Sequence, residues 1–440
     1  MNRPLFVRGL GAAGLLLGLS LAPAGQRRGL TPFDFGGRYL VAVSDADMVA
    51  SAYIDDRLGP VQGRDTLSVV ALDRLRRGDR PRVATLPVSN SVTGPPAAMA
   101  MTRDGRTAIV IETLGPRPVR PPNARLSDLP LGRTIAVLDL SRPDRPRIVQ
   151  RVACPAQPVS LSIDANGTRV AVAFGLKGAG ATTPLALYRL AGGRLSDPVT
   201  PRIPGWTPGH SLIDAEFAPA GDTLALLDFT GAALSFVRVA PDTTGVSAWG
   251  DPVALGKAPY LFLARFTPDG RHVLANTIDA PRGTVFSVRV GAGVAADGKP
   301  THRLVSQATT GGSPEGLAVS PDGRWVATSN LEQTSYPKDD PRQGFFSTIS
   351  LLRMNPETGE LSRVGDYPFE GILSETVLFD NGSRYLATTS FDRFDHRKPG
   401  GSIEFWRIAG DAADPTRAEL VRTGPSIPVV RGVHTMLLAR

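Results

Sequence analysis

The chain has 440 residues, about one in five of them glycine or proline, with 42% hydrophobic and 20% charged residues. That balance supports a packed core and excludes wholesale disorder, while the body has no apolar run long enough for a polytopic membrane protein. A single cysteine, Cys154, excludes a disulfide framework, a multi-cysteine zinc site and an iron–sulfur cluster.

The net charge of +8 comes almost entirely from arginine, since only five of the 49 basic residues are lysine. The arginines are scattered, often beside a proline or a turn glycine, with no basic block or arm. A nucleic-acid binder concentrates charge in a patch, so solvated surface arginine is the reading and no nucleic-acid partner is expected.

Arg3 and Arg8 precede an apolar stretch that ends in Ala22-Pro23-Ala24. A positive start, a short apolar run and an A-x-A end are the parts of a secretory signal, so residues 1–24 are expected to be a signal peptide and 25–440 the working protein. A periplasmic or secreted protein with no membrane span after signal removal follows. The G-x-G-x-x-G match at 9–14 lies inside the signal core with no strand before it, which argues against a dinucleotide site.

Beyond the signal one pattern recurs: a short apolar run, an Asp-Gly-like turn, an Arg or Thr, and a second apolar run. Residues 317–328 (LAVSPDGRWVAT) and 262–275 (FLARFTPDGRHVLA) are the clearest copies. Residues 99–111, 161–173, 215–227 and 376–388 repeat it, and 35–43 is a truncated seventh. Gly37, Gly105, Gly167, Gly221, Gly270, Gly323 and Gly382 mark the turns. Apolar alternation on both sides of such a turn predicts a β-hairpin. A second hairpin follows each first one, as at 348–361, where N-P-E-T-G-E-L forms a tight turn before a strand starting at Leu361. Seven units of four antiparallel strands predict an all-β, seven-bladed propeller. The first copy lacks its leading strand, and 434–439 reads like it. The C-terminus is therefore expected to supply the innermost strand of the first blade and close the ring.

The run P-E-G-L-A-V-S-P-D-G-R-W-V-A-T-S-N and the hairpin N-P-E-T-G-E-L-S-R-V resemble the lactonase-type seven-bladed propellers, the 6-phosphogluconolactonase-like family, and the YVTN-repeat propellers. The resemblance spans most of the mature chain as a scaffold pattern. It implies the fold, with lactone hydrolysis as one activity of the family, and carries over no catalytic residue.

In such a blade the Asp-Gly turns share one face, and the second-to-third-strand loops share the opposite face. Here the latter are long and polar, at 44–65, 112–133, 174–183, 330–344 and 391–401, which places a candidate site at the channel mouth on that face. Aligning the units puts Ala97, Val159, Ile213, Phe262, Glu315, Ser374 and His434 at one rim level, with Asp214 and Glu375 at the next. Glu315, Glu375, Asp214 and His434 are the ionisable members of an otherwise apolar or small register. They could hold a ligand or a cation, or simply cap strand ends and hold channel water. His434 and Glu315 are the candidates for proton transfer, while His210, Asn330, Asp392 and Arg393 complete the binding set.

His210-Ser211 before Asp214 suggests a hydrolase trio, but no nucleophile elbow accompanies it. Asp45-Ala46-Asp47 and the run 392–396 supply oxygen ligands for calcium without completing a calcium loop, so solvated acidic loops are the favoured reading; no cofactor is expected, with a channel calcium ion as the one left open. The sequons at Asn166 and Asn381 sit on the recurring turn and are explained by it. The absence of C-x-x-C-H excludes covalent c-type heme. A monomer that binds a small molecule or an extracytoplasmic protein without catalysis is the favoured reading, since no compact catalytic motif is present. The alternative is a lactonase-like hydrolase acting on a sugar or acyl lactone.

Overall fold

Short alternating strands joined by tight turns bury one apolar face per strand only when sheets stack around an axis, and the chain does this. The structure is a computed structural model that describes residues 33–440 except 62, 119–123, 156, 176–183, 244, 257–259, 394–399 and 412–413, and except the side chains of 411 and 414–416. The proposed signal segment, Asp395 and His396 lie outside the described residues.

Seven antiparallel sheets of four strands form a ring, one of them carrying a short fifth strand. Their innermost strands are Val433–Ala439, Met99–Met101, Pro158–Ile163, Leu212–Phe217, Leu261–Phe266, Pro314–Val319 and Val377–Phe379. In the first blade, Val433–Ala439 pairs with Tyr39–Ser44, which continues to Thr66–Ala71 and Val83–Pro87. The C-terminal strand thus closes the ring, as its sequence predicts. An aromatic group seals this seam from the last blade's side: Phe33 and Phe35 pack edge-on against Phe405, 4.8 and 5.2 Å away between ring centres.

Apolar contacts are organised between blades rather than within them. Val41, Val69, Ala108 and Leu138 join the first blade to the second, and Val326, Leu352, Leu263 and Leu274 join the fifth to the sixth. A separate cluster lies on the long-loop face, where Met48, Leu58, Val92, Leu331, Leu373 and Phe391 are buried together. Side chains from several loops therefore roof the channel end instead of waving in solvent.

The recurring turn has a physical origin. In Ser320-Pro321-Asp322-Gly323-Arg324-Trp325, the Asp322 carboxylate accepts the Ser320 hydroxyl at 2.5 Å and the Arg324 N–H at 3.1 Å. The Trp325 N–H returns to the Ser320 Oγ at 2.9 Å, and Gly323 takes φ +70°. Thr102 and Thr267 head equivalent turns. In the last blade the left-handed position falls on Ser383 (φ +55°), not on Gly382. Asp380 occupies the place of Ser320 and its Oδ1 accepts the Arg384 and Tyr385 N–H groups at 2.8 and 2.9 Å. The glycine spacing counted from Gly382 is thus displaced by one residue.

Candidate functional site at the long-loop end of the channel

The rim level inferred from the repeat coincides with a structural irregularity. In five blades the innermost strand carries one residue too many at this level, and the unpaired positions include Val159, Ile213, Glu315 and His434. A β-bulge leaves its extra residue outside the ladder and re-aims its side chain, a device common beside functional sites. Period-2 patterning cannot show this, because a bulge breaks the period.

Glu315 and Glu375 enter the roofed end from adjacent blades. Glu375 is fully buried, and neither of its carboxylate oxygens has a hydrogen-bond partner. Burial, and then the charges of Glu315 and Asp45, hold its pKa well above the usual carboxylate range. Burial pushes Glu315 up to about 8. Tyr53, on the short helix Ala52–Asp55 of the 45–65 loop, is 39% exposed as a whole residue, yet its hydroxyl is held above its ordinary value by local burial and then by Glu375, Glu315 and Asp45.

His434 points elsewhere. Its Nε2 lies 2.7 Å from Asn90 Oδ1 and its Nδ1 3.2 Å from the Thr435 hydroxyl, and burial lowers its pKa to about 3, so the ring is neutral. Asn90 in turn donates its side-chain amide to the Ser44 and Val88 carbonyls, and its backbone N–H reaches Asp65 at 3.3 Å. Asp65 is raised to about 7, first by burial and then by Asp47. Arg431 is buried among the same loops, and Asp392, raised by burial, is one of the charges that act on it.

The remaining candidates are held apart from this group. Asp214 accepts Arg265 at 3.1 Å and the Ala264 N–H at 2.9 Å, and Arg265 also reaches Glu216 at 3.6 Å. Burial raises Glu216 to about 7. His210 pairs with Asp228 at 2.6 Å in the fourth blade. Asn330 donates to Thr348 and Ser350 at 2.8 and 2.9 Å and accepts from Thr328. The Arg393 backbone N–H bonds to the Asp392 carboxylate at 2.9 Å. Cys154 is buried, with its thiol pushed up to about 12 by burial.

A cavity of about 520 Å³ runs along the axis. Arg103, Ala165, Pro219, Pro268 and Arg440 line it at the Asp-Gly face, and its wall includes Ala97, Gly316 and Thr376. The last two follow Glu315 and Glu375 in sequence, although neither glutamate itself lines the cavity.

These shifts carry a sign for stability. Glu315 ordinarily titrates near 4.5, so between pH 4.5 and about 8 the folded state keeps a proton that the unfolded chain releases. Stability then falls as pH rises through this window. Thermal unfolding of the wild type is expected to weaken from pH 5 to 8, and Glu315→Gln to flatten the slope. Parallel profiles for the two proteins would contradict the protonated Glu315.

No family model matches the sequence, and no curated protein matches it. Solved structures do match. A periplasmic gluconolactonase of Pseudomonas aeruginosa is 16% identical with a TM-score of 0.58, over 91% of this chain and 99% of that one. A candidate 6-phosphogluconolactonase from Bacteroides uniformis is 17% identical with a TM-score of 0.57, over 91% and 99%. A protein of unknown function from Desulfotomaculum acetoxidans is 12% identical with a TM-score of 0.59, over 92% and 99%. At these identities the likeness is one of fold: the chain is a seven-bladed β-propeller built like the lactonase-type propellers.

Proposed function

We propose that the protein is an extracytoplasmic propeller that binds a polyhydroxylated small molecule at the long-loop end of its channel. The observation that carries this reading is Glu375, a fully buried carboxyl group with neither oxygen hydrogen-bonded. Buried polar groups are ordinarily paired, and leaving one unmatched costs about 1–3 kcal/mol. A ligand that supplies the partners removes that penalty. Protonated Glu375 and Glu315 each offer a donor and an acceptor, and the Tyr53 hydroxyl adds another of each. Sugar hydroxyls present the same alternation, which makes sugar acids and sugar lactones the ligand class.

Calorimetric titration with gluconate, gluconolactone and related sugar acids and lactones tests the reading. Saturable binding to the wild type, weakened at least tenfold in Glu375→Gln, is the expected result. No binding across the panel, or equal affinity in the variant, would defeat it.

Hydrolysis of the bound lactone is the second reading, favoured by Glu315. An acid–base group titrating at about 8 suits proton transfer near neutral pH. The gluconolactonase among the structural neighbours makes gluconolactone the first substrate to try. Release of acid from the lactone panel, lost in Glu315→Gln with the fold intact, would establish catalysis.

A further inference from the structure

The 45–65 loop carries a second chemistry, separate from the Glu315–Glu375 pair. Asp45, Asp47 and Asp65 each bring a carboxylate oxygen to one place, all within 4.8 Å of one another. Asp45 is 3% exposed, and no N–H or hydroxyl group donates to its Oδ1; the one side chain within hydrogen-bonding reach is the Asp47 carboxyl, a like-charged neighbour. The other contacts of the cluster act as orienting groups. Asp45 Oδ2 accepts the Val92 N–H at 3.0 Å, Asp65 accepts the Ala46 and Asn90 N–H groups at 3.1 and 3.3 Å, and Asp47 accepts the Arg117 N–H at 3.2 Å.

Two arginines stand close, and among the described residues their side chains donate to backbone carbonyls of these loops. Arg431 donates to the Ala46 and Pro60 carbonyls at 3.1 and 2.9 Å. Arg117 donates to the Asp47 and Gly59 carbonyls at 2.8 and 2.7 Å. Among the described residues none of the three carboxylates forms an ion pair with an arginine or lysine, although basic residues outnumber acidic ones in the chain. Their mutual repulsion is offset only in part, by the buried Arg431 guanidinium, whose charge acts on Asp45 and Asp47. It adds to burial in raising Asp45 and Asp65.

We propose that Asp45, Asp47 and Asp65 bind one calcium ion, which fixes the 45–65 loop over the long-loop end of the channel. The donors are all hard oxygens, the set preferred by calcium and magnesium and poor for zinc or copper. Calcium–oxygen distances of about 2.3–2.6 Å put ligands on opposite sides of the ion roughly 4.6–5.2 Å apart, a span this cluster fits. Waters and carbonyls complete such a shell. The ion supplies the partner that Asp45 Oδ1 lacks. Backbone N–H groups already hold each carboxylate in place, as the second shell of a cation site does. The same loop carries Tyr53, so the ion would fix this hydroxyl above Glu315 and Glu375. The inference does not rest on the sugar-binding reading, because none of the three aspartates is assigned there.

The test is calorimetric titration of the chelator-treated, purified protein with calcium and, separately, magnesium, beside thermal unfolding with and without 10 mM calcium. One equivalent of calcium is expected to bind with a Kd of about 10⁻⁴–10⁻³ M, the range of extracellular calcium modules, and to raise the Tm by a few degrees. Asp47→Asn and Asp65→Asn are each expected to weaken binding at least tenfold, whereas Glu315→Gln leaves it within twofold. Absence of saturable calcium binding at 10 mM would overturn the proposal. So would unchanged affinity in Asp47→Asn, or a preference for magnesium. Calcium binding without any sugar binding would leave this site standing and remove only the ligand reading.

Discussion

Removal of residues 431–440 is expected to abolish the cooperative unfolding transition, not merely to lower it. Val433–Ala439 forms the innermost strand of the first blade and pairs along the whole of Tyr39–Ser44. Val433, His434, Thr435, Met436 and Ala439 are all 1% exposed or less. Without this strand the ring opens at one wedge, exposing the edge of Tyr39–Ser44 and stripping the apolar seam of Met436 and Val433. The loss is on the order of the whole 5–15 kcal/mol by which a typical protein is stable. Calorimetry or circular dichroism of the truncated chain measures it. A truncated protein melting in one transition at the wild-type temperature would show that the seam does not hold the ring.

Glu375→Leu is expected to make the protein more stable and to abolish ligand binding. The native side chain places two unpartnered oxygens in a fully buried position. Replacing it with an apolar group of similar size removes a polar group that lacks partners, a change worth about 1–3 kcal/mol. For a chain of this size that corresponds to a Tm higher by a few degrees. A gain in stability with a loss of function is the signature of a group retained for its chemistry. A Tm lowered by several degrees would mean that Glu375 holds the fold and would remove the observation on which the proposed ligand site rests.

The ring itself was legible in the sequence because its determinant is local. Each Asp-Gly turn is built from residues within six positions, with Ser320, Asp322 and Trp325 bonding among themselves. Six such turns and the truncated copy at 35–43 fix the count of blades, and the resemblance of 434–439 to the other inner strands fixes the seam. The one misplaced turn, at Gly382, has its glycine one residue early, so that the left-handed backbone falls on Ser383.

The candidate site was legible only in part. Glu315 and Glu375 stood out as ionisable residues in an apolar register, and the structure places them in one group. Asp214 shares that register, yet it pairs with Arg265 of the neighbouring blade. His434 occupies the expected level, but its bulge turns it onto Asn90. Asp65, Asn90, Tyr53 and Arg431 gave no signal. They come from positions as far apart as 53 and 431, and no spacing rule joins residues that only a closed ring brings together.

The strand order of the first blade also fixes a sequence of events in folding. Six blades are made of strands consecutive in the chain, so each can form through contacts between near neighbours. The seventh must bring together partners nearly 400 residues apart, which delays it behind all the others. A chain emerging from its N-terminus would thus carry Tyr39–Ser44 without its inner neighbour until the very last strand arrived, and the ring would snap shut in a single late step.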